Sequence, residues 1–194
     1  MEALQPNEIS ALLTALGDRL AHARTRAELV VIGGSALTIL GLVERATRDV
    51  DVVALFDGGV LRPAKPLPPA LVEARDAVAA DFGVSDGWLN VGPSDLLDYG
   101  LPDGFVERLE RREFGEALVV HLASRIDLIH FKLYALVDQG VGRHEQDLRA
   151  LEPTRGELLA AAEWACTHDP SEGFRQELEG ALRYLGVEDA DLSA

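Results

Sequence analysis

The segment from Val30 to Leu55, VVIGGSALTILGLVERATRDVDVVAL, constrains the fold more than any other part of the chain. Glu28 to Ile32 is rich in β-branched residues and reads as a short buried strand. Gly33-Gly34-Ser35 breaks it, and Ala36 to Leu42 reads as a short apolar helix. Asp49 to Phe56 reads as a second strand. Glycine lets backbone approach a ligand closely, and the helix that follows offers free N–H groups and a positive dipole end to phosphate. Ser35 adds a hydroxyl. Asp49 and Asp51 are two apart, so strand alternation predicts both carboxylates on one face and Val50 and Val52 on the other. Converging carboxylates suit a hard divalent cation such as Mg²⁺. Arg45, Thr47 and Arg48 precede the pair and are placed to meet phosphate oxygens. A Gly-Gly alone is commonly a plain turn, and an Asp-x-Asp arises by chance in an acidic chain. Their combination at this spacing is what carries information.

The rest of the chain reads as follows. Pro6 to Arg24 is a helix with Ile9, Leu12, Leu13, Leu16 and Leu20 inward. Asp57-Gly58-Gly59 is a turn, and the prolines between Arg62 and Pro69 mark a loop. Residues 70–82 are a helix and Trp88 to Val91 a short strand, followed by a connection to about Gly104. Phe105 to Glu113 and Ala117 to Leu122 form a hairpin around Phe114-Gly115-Glu116. Helices follow: Ser124 to Val137 with Ile126, Ile129, Leu133 and Val137 on one face, His144 to Leu151, and Thr154 to Thr167 behind a Thr154–Glu157 capping box. A last helix is capped by Ser171, carries Phe174, Leu178, Leu182 and Leu185 inward, and stops at Gly186. The expectation is an α/β (α+β) chain, with a small mixed sheet flanked by helices in residues 1–123 and a helical part, 124–194, packed on that core.

Charge limits the partners. The 194 residues hold 33 acids and 18 Lys plus Arg, a net charge of −15. That argues against a non-specific nucleic-acid binder or an anionic-membrane binder, since both need basic surfaces. Lys65 and Lys132 are the only lysines, so positive charge is almost entirely arginine. The single cysteine, Cys166, excludes an internal disulfide and reads as a small apolar filler. Met1 to Gly17 has early acids and does not read as a secretory signal. No apolar run approaches the ~20 residues of a membrane span, so a cytoplasmic address is expected.

The pattern Gly-Gly-Ser, short helix, Arg-x-Thr-x-Asp-x-Asp resembles the DNA polymerase β-type nucleotidyltransferase superfamily. It is most similar to the small bacterial branch related to abortive-infection toxin nucleotidyltransferases, over about residues 8–150. The resemblance implies a nucleotidyltransferase-type sheet and transfer of a nucleoside monophosphate from an NTP to an acceptor hydroxyl. It implies phosphate binding by Gly33, Gly34 and Ser35, and Mg²⁺ or Mn²⁺ on Asp49 and Asp51. A helix with a lysine in an apolar run, then a short helix with Asp-Leu, is also similar. Here these are Lys132 and Asp147-Leu148, and Lys132 is expected to bind phosphate.

The chain departs from the superfamily at the third carboxylate, which a neighbouring strand usually supplies to hold metal and deprotonate the acceptor. In related small members a Trp-Leu-Asn segment is followed by Asp, whereas here Trp88-Leu89-Asn90 is followed by Val91. Asn90 offers an amide oxygen but no base; Asp95, Glu107 and Asp127 are the other candidates. This departure favours an alternative, a catalytically silent module of the same fold that binds a nucleotide or a partner protein. A haloacid-dehalogenase-type reading of Asp49 and Asp51 fits poorly, because the apolar run follows the pair instead of preceding it. An acceptor protein or small molecule fits the charge better than tRNA.

Other polar residues have plain readings. His130 falls beside Asp127 on a helix, His144 beside Asp147, and His121 at an exposed strand edge. Trp164, Phe174 and Leu178 read as core. Arg108, Arg111 and Arg112, alternating with Glu107, Glu110 and Glu113, read as a solvated ion-paired face.

Overall fold

The computed structural model describes residues 3–190 and 192. It divides into two compact units, Met1–Ser124 and Arg125–Ala194.

The first unit is a mixed α/β fold. Helix α1 (Pro6–His22) starts with proline at its first turn, and Glu8 accepts the Gln5 N–H at 2.6 Å. It leads into strand β1 (Ala27–Ile32), helix α2 (Gly33–Ile39), strands β2 (Val50–Asp57) and β3 (Val60–Pro63), and helix α3 (Pro69–Phe82). The minimal strand β4 (Leu89–Asn90), the one-turn helix α4 (Leu96–Tyr99), and strands β5 (Glu110–Phe114) and β6 (Leu118–Leu122) complete it. The sheet order is β3-β2-β1-β6-β5, with β4 paired to the start of β2. β1 runs antiparallel to β2 and parallel to β6. Leu29 to Ile32 are all buried, as a central strand covered on both faces requires.

The structure moves several expected boundaries. The glycines do not precede α2 but form its first turn, after an extended Ile32. β2 starts at Val50, which leaves Asp49 one residue outside it. β3 takes in Arg62 and Pro63, the start of the expected Arg62–Pro69 loop. It forms because Gly58 and Gly59, both at positive φ, close a two-residue hairpin, and proline is tolerated at the strand's end. Residues 106–108 form one 3-10 turn, so β5 is shorter than the expected Phe105–Glu113. β5 is the edge strand whose alternating charges pair as Arg111–Glu113 and Arg112–Glu110, an exposed polar border that discourages edge-to-edge pairing. His121 is not at an edge: β6 is interior, and the ring is buried, 2.7 Å from Glu28 Oε2 and against Phe56.

α1 lies against β5, β6 and α3, where Arg19 pairs with Asp81. A Cβ on Gly17 would fall far inside contact distance of the Phe114 carbonyl. Its removal is what lets the helix seat on the β5–β6 turn.

The second unit is helical: α5 (Arg125–Gln139), α6 (Arg143–Ala150), α7 (Arg155–His168) and α8 (Glu172–Tyr184). α5 packs on the other three. Its buried face is centred on Leu128, Ile129, Leu133 and Leu136, and Ile126, expected inward, is exposed. Trp164 gathers Phe131, Tyr134 and His168 around it at 4.2–6.0 Å between ring centroids. Phe174, expected as core, is half-buried and stacks on Tyr134. The Thr154–Glu157 capping box and the Ser171 cap both form. Arg125 clamps the α6–α7 connection through the Leu151 and Glu152 carbonyls and Glu157.

Two predictions follow from this packing. Gly17→Ala gains up to about 1 kcal/mol of helix propensity but drives a methyl into a backbone oxygen, at about 1–3 kcal/mol. The clash is against backbone, so net destabilisation of about 1–2 kcal/mol is expected from urea midpoints. The Arg125 guanidinium, with help from the Thr154 cap, holds Glu157 down at about 2 from an ordinary 4.5. A depressed acid stabilises fully above its unfolded value, and the contribution fades as pH falls from 4.5 to about 2. Discounted for the part-exposed Arg125, it is about 1–3 kcal/mol. Glu157→Gln should cost that much at pH 7, and its gap from wild type should narrow through that window in pH-dependent melting.

Candidate functional site

β1 and β2 do not pair in uniform register. Val30 faces Ala54, but Val31 faces Val52 and Ile32 faces Asp51, so β2 carries an extra residue at Val53. Such a bulge re-aims the side chains beyond it. It brings Asp51 beside the end of β1, where α2 begins. Asp49 and Asp51 are half-buried, while Val50 and Val52 are fully buried, the division expected of alternating positions.

Both glycines are closely packed against side chains of β2 or of the segment that leads into it. Gly33 has φ +75, and a Cβ there would overlap Asp51 Oδ2. A Cβ on Gly34 would stand 2.7 Å from Thr47 Oγ1 and 3.1 Å from Arg45 Nη2. The first turn of α2 therefore closes directly on Asp51, Thr47 and Arg45. Thr38, which sequence reasoning passed over, ties the assembly together. Its buried hydroxyl donates to the Gly34 carbonyl at 3.0 Å and lies 3.3 Å from the Arg45 carbonyl. A hydroxyl within the apolar run Ala36–Leu42 was the available signal.

The remaining expected residues occupy distinct positions. Ser35 is fully buried and its hydroxyl donates to Ile32 O at 3.4 Å. Thr47 is buried, and its backbone pairs with Leu4 through N–H to carbonyl bonds of 2.6 and 2.9 Å. Arg45 is half-buried and donates to Ala46 O at 2.9 Å, and Arg48 is exposed.

β4 supplies the neighbour of Asp51. Its register sets Asn90 opposite Asp51, and Asn90 Nδ2 donates to Asp51 Oδ1 at 2.8 Å. Among the other candidates for a third carboxylate, Asp95 pairs with Lys65 at 2.8 Å and Glu107 is exposed. Asp127 is fully buried in the second unit. Among the described residues no group of three or more His, Cys, Asp or Glu could hold a metal ion. Two half-buried carboxylates at a turn cleared of side chains nevertheless fit a hard cation that takes its other ligands from substrate and water.

Lys132 lies in the second unit, buried, with Nζ 2.7 Å from the carboxylate of Asp147. Of the nearby histidines, His130 Nδ1 is 2.8 Å from Ile126 O, and His144 Nε2 is 3.0 Å from Gln139 Oε1. Burial raises the Cys166 thiol above its ordinary range. No helix among the described residues is long and apolar enough to cross a membrane.

Removing one member of a buried ion pair strands the other. Lys132→Met should therefore cost about 3–5 kcal/mol in chemical denaturation, and Lys132→Met with Asp147→Leu much less. Equal loss in both would show that the pair is not the cause.

Residues 10–149 match a family model described as a nucleotidyltransferase of unknown function (DUF6036). No curated protein and no solved structure matches the chain.

Proposed function

The chain belongs to this nucleotidyltransferase family, and we propose that it is a metal-dependent enzyme moving a nucleoside monophosphate from an NTP to an acceptor hydroxyl. The observation that carries the reading is the closure of the Gly33-Gly34 turn on the carboxylate of Asp51, with Asp49 two residues before it. Asp49 and Asp51 would hold Mg²⁺ or Mn²⁺. The cation supplies charge neutralisation to a transferring phosphoryl group, a reaction that depends on positioning more than on covalent help.

The chain's own residues have separable tasks. Gly33 and Gly34 keep the approach to Asp51 clear of side chains. Thr47 and Thr38 fix the distance between α2 and the segment before β2. Arg45, beside Gly34, and Arg48, at the surface, offer cations to a triphosphate. Ser35 braces the turn from within, which differs from the direct phosphate contact expected of it. The Lys132 helix followed by Asp147-Leu148 supports placement near the small toxin-type branch. An NTP-consuming reaction suits a cytoplasmic address, and the acidity favours a protein or small-molecule acceptor over RNA.

A second reading is the silent module that binds nucleotide without turnover. Asn90 favours it, because the residue opposite Asp51 has no carboxylate to take the acceptor's proton.

Labelled NTPs with Mg²⁺ or Mn²⁺, and cell extract as a source of acceptor, separate the two. Labelled product and pyrophosphate are expected from wild type and should fall at least about a hundredfold in Asp51→Ala. Binding that needs Asp51 without any turnover would favour the silent module, and absence of binding would overturn both.

A further inference from the structure

We propose that Asn90 restricts this site to a single divalent cation, by presenting an amide donor to Asp51 at the position where a second cation would need a carboxylate. The inference deepens the metal-dependent reading and rests on it. Asn90 sits opposite Asp51 in the parallel β2–β4 ladder. Its Nδ2–H donates to Asp51 Oδ1 at 2.8 Å, and its own Oδ1 accepts the Gly92 N–H at 2.8 Å. The second bond fixes which end of the amide faces the carboxylate. A flipped amide would set its NH₂ against the Gly92 N–H and its oxygen against Asp51 Oδ1, repulsive at both ends.

The turn that supplies the Gly92 N–H is itself anchored. Lys65 Nζ donates to the Gly92 carbonyl at 3.3 Å and to Asp95 at 2.8 and 3.0 Å. The Ala64 N–H donates to Ser94 Oγ at 2.9 Å, and Ser94 is buried. Relocating the Asn90 amide therefore means disturbing this turn as well.

Two-cation sites hold their ions about 3.5–4 Å apart, commonly with a carboxylate that gives one oxygen to each. Opposite Asp51 stands the Asn90 amide, whose Nδ2–H donates to Oδ1, so that position gives the site no further anionic oxygen. No third carboxylate joins the pair among the described residues. Asp49, one oxygen of Asp51, phosphate oxygens and water can complete one octahedral shell for Mg²⁺. They lack the anionic ligands to hold two such ions together.

The test counts Mn²⁺ by electron paramagnetic resonance in the presence of a non-hydrolysable NTP analogue. Wild type should bind one Mn²⁺ per bound nucleotide. Asn90→Asp keeps the acceptor for Gly92 but sets a second carboxylate against Asp51, so its melting temperature should drop in EDTA and recover with Mn²⁺. It should bind two Mn²⁺ per nucleotide, or one at least tenfold more tightly. Two ions in wild type, or an unaltered count and affinity in Asn90→Asp, would overturn the inference and leave the metal-dependent reading standing. Wild type that binds no Mn²⁺ with the analogue would overturn that reading and this inference together. The wild-type count decides the matter even if Asn90→Asp fails to fold.

Discussion

A side chain at Gly33 would collide with the Asp51 carboxylate, and one at Gly34 with Thr47 and Arg45. The first turn of α2 and the start of β2 close on each other at a distance that leaves no room for a side chain at Gly33, which also sits at positive φ, and that at Gly34 would require Thr47 and Arg45 to move. Other features follow from that closure. The bulge at Val53 supplies the register that turns Asp51 toward the end of β1. Thr38 holds α2 to the segment carrying Arg45, and Leu4 pairs with Thr47 to fix the far side of that segment. A helix this short has little stability of its own, so its position is set by these contacts and by its buried apolar residues.

Electrostatics in the first unit follow a similar economy. Much of the positive charge is committed to ion pairs: Arg19 with Asp81, Lys65 with Asp95, Arg111 and Arg112 with glutamates on their own strand. Most of these are exposed and contribute little to stability. Their effect is on shape, since they border the β5 edge and anchor the turn after β4. At the glycine turn, Arg45 Nη2 lies close to where a Cβ on Gly34 would stand.

Much of this was legible in the sequence because periodicity and turn chemistry agree over α1, β1, α3, α7 and α8. The Thr154–Glu157 box is a local pattern with a local cause, and it forms as written. What escaped depended on partners distant in sequence. β3 is short and runs into a proline-rich stretch, and is specified by the Gly58-Gly59 hairpin and by β2. His121 looked like an edge residue because nothing local shows that β5 covers β6 on one side and β1 on the other. Ile126 lies at a helical spacing that suits an inward face, yet the buried arc of α5 is centred on Leu128, Ile129 and Leu133. At the site, Asp49, Asp51 and the glycines could be read from spacing. The hydrogen bond from Asn90 could not, since it joins residues 39 apart through a two-residue strand.

That hydrogen bond also bears on how the site exists without ligands. A carboxylate at residue 90 would stand against Asp51 with like charge, and one of the two would have to take up a proton or a cation to relieve the repulsion. An amide there does the opposite. It donates to the carboxylate and adds no further charge beside a half-buried pair in a chain that is already strongly acidic. The donor end of the Asn90 amide, held in place by the Gly92 N–H, is what faces Asp51 and spares the site that repulsion.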